Sequence, residues 1–468
     1  MSTTEIRSET HPGVSGYGQV NRDILKILSK PRKSYFLLLA GALALLGLGV
    51  FAWMTQVVLG IGMSGLRNPV GWGAYITTFV FWVGIAHSGT LISAVLYLFR
   101  ARWRQSVYRV AEAMTVFAVM TAGLFPIIHL GRPWLFYYLL PLPNERMIWP
   151  NFRSPLLWDV FAVSTYFTVS ATFFVLGMIP DIAAARDSTT VPWRRKLYSL
   201  LSLGWRGTDR EWKHFTRAYL YLAALATPLV LSVHSVVSWD FAMSIVPGWH
   251  TTIFAPYFVA GAIFSGLAMV ITLAVPLRQI FGWQDYFTEK HFDMMSRLIL
   301  LTSLIVGYAY ATEYFMAWYS FEAAERHVFW NRVFGDYWWA TWIMISCNVF
   351  VPALLWFQKV RTNIAALFVI TIFINIGMWF ERFVIIVTSL AQEYMPGQWG
   401  NYMPSWVEMS ILAGSFGWFF MWFLIFIRVL PAVSVAELKE IIPAKMRGGG
   451  GGGPHDAGGS GSRKEAHA

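Results

Sequence analysis

Ten apolar runs, each about 20 residues or longer and separated by more polar stretches, constrain this chain more than any other feature. As helices rising ~1.5 Å per residue, such runs cross the ~30 Å hydrocarbon core of a bilayer. They lie near Tyr35–Gly60, Ala74–Phe99, Val110–Leu130, Leu156–Ile179, Tyr219–Trp239, Ile253–Leu277, Leu298–Tyr319, Tyr337–Phe357, Ile364–Leu390 and Ile411–Val429. A soluble domain carries about a quarter charged residues, whereas this chain of 468 residues has 13%. The short alternating segments of a β-barrel are absent from it. The expected fold class is an all-α polytopic membrane protein with ten transmembrane helices.

Three regions follow from this pattern. Residues 1–33 are polar and contain no apolar core with a cleavage site, so no removable signal peptide is expected. Residues 34–430 form the membrane domain. Residues 431–468 form a Gly-rich tail whose end, RGGGGGGPHDAGGSGSRKEAHA, is low in complexity; His455 and His467 there are not read as metal ligands. Lys30, Arg32 and Lys33 precede the first run, Arg100, Arg102, Arg104 and Arg109 follow the second, and the long fourth loop is rich in Arg and Lys. The intervening loop Ser238–Thr252 has neither. Alternate basic loops place both termini in the cytoplasm. The net charge of +11 is thereby an orientation signal, and no nucleic-acid partner is expected. The basic, apolar stretch Val191–Trp205 reads as a helix lying on the inner leaflet. Runs two to five and six to nine (about 74–239 and 253–390) are expected to form two four-helix bundles, with the first and tenth helices peripheral. An even number of spans per bundle makes any repeat parallel.

Charged groups at membrane depth cost several kcal/mol, so each calls for a reason. In LFPIIHLGRPW (Leu124–Trp134), Pro126 loosens the helix and Gly131 with Pro133 ends it, holding His129 about one turn from the outer boundary. Asp159 lies about one turn inside the next run, which starts from the same face. The two runs are consecutive and antiparallel, so His129 and Asp159 are expected to converge as a proton-accepting pair. A plain hydrogen bond between helices is the alternative. Asp240, placed just past a helix end, and Arg382 extend the candidate pocket, with Arg382 expected to meet Asp240 or Asp159. His87, His234, Tyr308, Tyr310, Glu313 and Glu381 are candidate stations of a proton path. His87 counts as central and His234 as outer. Asn348, Asn375 and Cys347 are assigned to packing.

Paired histidines at one depth, as a haem needs, are not evident, and no P-loop, HExxH or CxxC occurs. A single cysteine, Cys347, excludes internal disulfides and a multi-thiolate cluster held by this chain alone. No metal ligands are assigned. A transporter would favour a midplane site. Polar density displaced toward one face instead suits an amphiphile entering from lipid, such as a quinol, with its electrons leaving to a cofactor in another subunit.

The runs GIAHSGTLISAVLYLFR and AEAMTVFAVMTAGLFPIIHLGRPW resemble the NrfD/PsrC-type membrane subunits, and within them the ActC subunit of alternative complex III. The likeness extends over roughly Pro31 to Pro431. It implies ten helices in two four-helix bundles and a periplasmic quinol site beside an iron–sulfur subunit, in a bacterial inner membrane. It implies no haem or iron–sulfur cluster in the chain itself. Carried over, the site is His129 with Asp159, then Asp240 and Arg382. The implied partners are the iron–sulfur subunit, multihaem cytochromes of c type and a second NrfD-like membrane subunit. Menaquinol is the implied substrate, and proton translocation is proposed for the family. A structural anchor without its own quinol site and a secondary transporter are the alternatives.

Overall fold

The computed structural model describes residues 17–25, 28, 33–140 and 154–441. The poly-Gly tail, the first sixteen residues and the loop before the fourth span lie outside this set. The described residues contain helices and turns and no strand. Ten helices are long and apolar enough to cross a membrane: Lys33–Leu59, Ala74–Leu98, Tyr108–His129, Pro155–Ser188, Asp209–Ala242, Phe254–Phe281, Glu289–Tyr319, Trp338–Trp356, Ile364–Ala391 and Trp406–Val429. The chain is a multi-pass membrane protein. The fourth and fifth spans have 34 residues each, about 51 Å of helix, so they project past the hydrocarbon. Their polar overhang lies at the end of the molecule that carries the basic loops.

Spans two to five pack around one another, and so do six to nine. The second and sixth spans are buried around most of their circumference, because they form the seam between the two bundles. Small residues set that seam. A Cβ built on Gly266 of the sixth span would collide with Ser88 Oγ of the second. The first and tenth spans pair with each other outside the bundles. Trp82 fastens this pair to the second span: its indole N–H donates to Ser415 Oγ at 3.0 Å and its ring meets Phe416 and Phe419.

Within the outer pair, a Cβ on Gly49 would lie 2.6 Å from the Cα of Gly414. Such close backbone approach is the small-residue packing expected where lipid supplies no hydrophobic force between helices. Gly49→Leu is therefore expected to cost about 1–3 kcal/mol through overpacking. The reading is the thermal unfolding midpoint of the purified protein; an unchanged midpoint would mean the two backbones part freely.

Two short elements cover the basic end. The helix Pro192–Leu201 is the one expected within Val191–Trp205, and Tyr198 on it donates to Val429 O at 2.7 Å. The chain after the tenth span stays packed through Val435–Ile441, where Glu437 pairs with Arg104 at 3.0 Å. The backbone N–H of Ala436 donates to Asp181 Oδ1 at 2.9 Å.

Candidate functional site

The four helices of the first bundle each bring one polar group to the end opposite the basic loops. The second span brings Tyr75, the third His129, the fourth Asp159 and the fifth Asp240. All lie within about 6 Å of a helix end, counted at ~1.5 Å per residue.

His129 closes a separate final turn. The third helix breaks at Gly123 and resumes as Leu124–His129, packed against the second span. Gln56 of the first span, fully buried, holds this turn in place. Its side-chain amide N–H donates to Ile128 O at 3.0 Å, and its oxygen accepts from the Tyr75 hydroxyl. The His129 ring lies edge-on to Tyr75 with 6.2 Å between centroids, and its Nδ1 is buried with no partner.

Asp159 has a different neighbour. Its carboxyl and that of Asp240 are within hydrogen-bonding reach of each other. A hydrogen bond between two carboxyls requires a proton on one of them. Asp159 Oδ1 and Oδ2 and Asp240 Oδ1 meet no other donor, and no ion pair to either aspartate forms among the described residues. Trp158 and Trp239 pack edge-to-face beside them at 6.0 Å, and Leu156 and Phe161 are exposed on the same helix turns.

These contacts differ from the expected ones in three respects. The third and fourth spans are fastened at their basic ends, through Arg109. At the other end the break at Gly123 gives the His129 turn to the second span, and no hydrogen bond joins His129 to Asp159. Asp240 is inside its helix, which continues to Ala242, so its side chain faces the fourth span instead of a loop. Arg382 pairs with its own neighbour Glu381, Nη1 to Oε1 at 2.5 Å, and covers the Phe258 ring at 4.5 Å. Gly261 makes this fold-back feasible: a Cβ there would lie 3.2 Å from Arg382 Nη2.

A second polar cluster runs through the seam between bundles. His87 and His234, assigned to different depths by counting from helix ends, meet edge-on at 4.5 Å. Helix ends in this fold do not lie at one level, so the count misplaced them. Tyr166 stacks on His87 at 4.7 Å and shares a 2.7 Å hydrogen bond with Thr90. Beyond Phe258 come Arg382 and Glu381, whose carboxylate accepts from Tyr310. Asn348, assigned to packing, donates to Tyr310 Oη at 2.9 Å. Glu313 is buried with one oxygen unpartnered, near Arg332, which donates to Thr388 and Ser389. Tyr308 faces outward and is 68% exposed, away from this cluster. Both nitrogens of His234, Nε2 of His87 and Nη2 of Arg382 lack partners, a pattern that buried water satisfies in polar interiors.

Widened turns of π type occur at Leu91–Val95, Ser346–Phe350 and Val384–Thr388. Each adjoins or contains a member of this cluster, and such turns gather at functional sites because they re-aim side chains. Sequence reasoning also missed Gln56 and Tyr75. A lone amide in the apolar run WMTQVVL was the available signal, since its cost is of the same kind as that of His129. No group of three or more His, Cys, Asp or Glu placed to hold a metal ion occurs among the described residues.

Fold and polar end together define a helical membrane subunit with paired four-helix bundles. The family described as "Polysulphide reductase, NrfD" matches residues 62–392, and the chain belongs to this family. It is 26% identical to the putative dimethyl sulfoxide reductase membrane subunit of Halobacterium salinarum, covering 86% of this chain and 89% of that protein. A selenate reductase subunit of Mesobacillus selenatarsenatis is 22% identical, over 84% and 93%. The Hdr-like menaquinol oxidoreductase integral membrane subunit of Archaeoglobus fulgidus is 19% identical, over 87% and 96%.

Proposed function

We propose that this chain is the quinol-oxidising membrane subunit of a multi-subunit oxidoreductase, of the alternative complex III type, in a bacterial inner membrane with both termini cytoplasmic. The observation that carries it is the end of the first bundle. His129 stands there on the third span and the Asp159–Asp240 carboxyls on the fourth and fifth, with unpartnered polar atoms and an apolar flank. A quinol has two hydroxyls on opposite edges of its ring. Oxidation releases a proton from each, together with two electrons. His129 accepts one proton and the carboxyl pair the other, while the electrons pass to an iron–sulfur partner and onward to c-type haems. General-base groups held at the reacting hydroxyls contribute about 10²–10⁴ in rate.

Arg382 and Glu381, an ion pair separated from His234 by the Phe258 ring, balance charge behind this site. The seam cluster from His87 to Tyr310 is the route by which protons leave, and translocation through it belongs to the same proposal. The relatives named for dimethyl sulfoxide reductase, selenate reductase and menaquinol oxidoreductase support a redox partner complex, and the last supports menaquinol.

The test is photo-labelling of the assembled complex with a menaquinone analogue carrying a ring-attached reactive group. Labels are expected on 124–129, 155–161 and 236–242. Absence of label from these segments, with label elsewhere in the complex, would leave the chain an anchor.

A further inference from the structure

A cavity of about 570 Å³ lies far from that polar end, between the first, sixth and tenth spans at the basic side. Its walls are apolar, with Leu38, Leu45, Leu273, Pro276, Phe420 and Phe423 among them. Its polar groups are concentrated at the mouth: Asp23, Ser34, Tyr35 and Arg428. Along the first span it extends from Ser34 to Leu45, eleven residues or about 16 Å of helix. Along the tenth it extends from Arg428 back to Phe420, about 12 Å. Both lengths are close to half of the ~30 Å hydrocarbon core. The groove thus begins at the basic membrane edge and stops near the midplane, the depth of one leaflet.

Two guanidinium groups and one carboxylate stand at or beside the mouth: Arg428 and Asp23 line it, and Arg194, which donates to Leu28 O, lies next to Arg428. Arg194, on the short helix Pro192–Leu201, is close enough to Arg428 for the two guanidinium groups to repel. The Asp23 carboxylate accepts from the Tyr286 hydroxyl at 3.0 Å, which turns it toward the sixth-span side of the mouth, and the two guanidinium groups outnumber it. Thr272, the one hydroxyl deep in the groove, donates within the protein to Ala268 O at 2.9 Å. A peptide segment would bring backbone N–H and C=O groups that these walls cannot satisfy. A quinone ring would need polar partners below the mouth. An acyl chain needs neither.

We propose that this groove is a specific site for an anionic phospholipid of the basic-side leaflet. One acyl chain lies between the three spans and the phosphate sits at Arg428 and Arg194. Arg suits phosphate because its planar fork offers paired donors. The lipid would then pack the outer helix pair against the second bundle along the sixth span.

Gly41 gives a clean test. It lines the groove, and a Cβ built on it meets nothing within 4 Å, so the side chain of Gly41→Phe starts in open space and is expected to occupy the cavity. The assembled complex is reconstituted with phosphatidylglycerol or phosphatidylcholine bearing a photoreactive acyl chain, and cross-linked peptides are mapped. Phosphatidylglycerol is expected to label 38–45 and 420–424 at least fivefold more than phosphatidylcholine. Gly41→Phe is expected to reduce this labelling tenfold with assembly and melting temperature unchanged, and Arg428→Gln to bring the two lipids to parity. Equal labelling by both lipids in the unaltered complex would overturn the proposal. So would labelling that persists in Gly41→Phe, or competition by a menaquinone analogue or by the chain's own C-terminal segment.

Discussion

Complexes carrying Asp159→Asn are expected to assemble normally and to oxidise quinol at least about 100-fold more slowly, the lower range for loss of a positioned general base. Asparagine keeps the shape of the side chain, and its amide N–H can donate to Asp240, so the fourth and fifth spans stay joined. What disappears is the ability to take a proton from substrate. Asp240→Asn is expected to give a loss of the same order, because the proposed mechanism makes each carboxyl half of one acceptor. The double variant should be little worse than either single one, as groups that act as a unit are non-additive. The measurement is kcat with a water-soluble menaquinol analogue and the natural electron acceptor, alongside partner content on a native gel. Wild-type turnover in both single variants would remove the carboxyl pair from the mechanism and leave His129 to account for it alone.

Arg109→Leu is expected to prevent accumulation of the folded chain. Arg109 is fully buried near the start of the third span, where it pairs with Glu112 at 3.0 Å and Asp181 at 2.9 Å. It also donates to Gly177 O at 2.7 Å and to the Tyr108 hydroxyl at 3.1 Å, while Tyr219 donates to Glu112 at 3.1 Å. Removing the cation leaves the buried Glu112 and Asp181 carboxyls without it, a loss of about 3–5 kcal/mol for one broken buried pair. That is a large share of the ~5–15 kcal/mol that keeps a domain folded. Membrane-extracted yield on fluorescence-detected gel filtration reads the effect. Arg109→Leu combined with Glu112→Gln and Asp181→Asn should recover part of the yield, since the cost lies in the stranded charges. Normal yield for the single variant would mean that water reaches this site.

Arg109 also shows where a reading of the chain falls short. By position it belongs to the basic loop after the second run, among residues that orient a membrane protein. Its role depends on Gly177 and Asp181, some seventy residues away, where a Cβ on Gly177 would lie 2.8 Å from its Nη1. Glu381 and Arg382 show the same limit in another form. Adjacent helix residues ordinarily point apart, which sets Arg382 to meet a carboxylate on another span, Asp240 or Asp159. The space above Gly261 lets the guanidinium turn back instead. His87 and His234 appeared at different depths by counting residues, and they touch because their helices start at different levels.

The ten spans, their order and the all-α class were readable from the chain because the bilayer forces every spanning segment to satisfy its own backbone, which leaves an unmistakable apolar length. That Asp159, His234 and Glu381 are buried polar groups was readable for the same reason: charge and imidazole stand out against leucine. Which of them touch was not readable. Contacts between spans depend on helix breaks such as Gly123, on the missing side chains of Gly49, Gly261 and Gly266, and on the level at which each helix starts. These are properties of the packed bundle, and hydropathy carries no record of them.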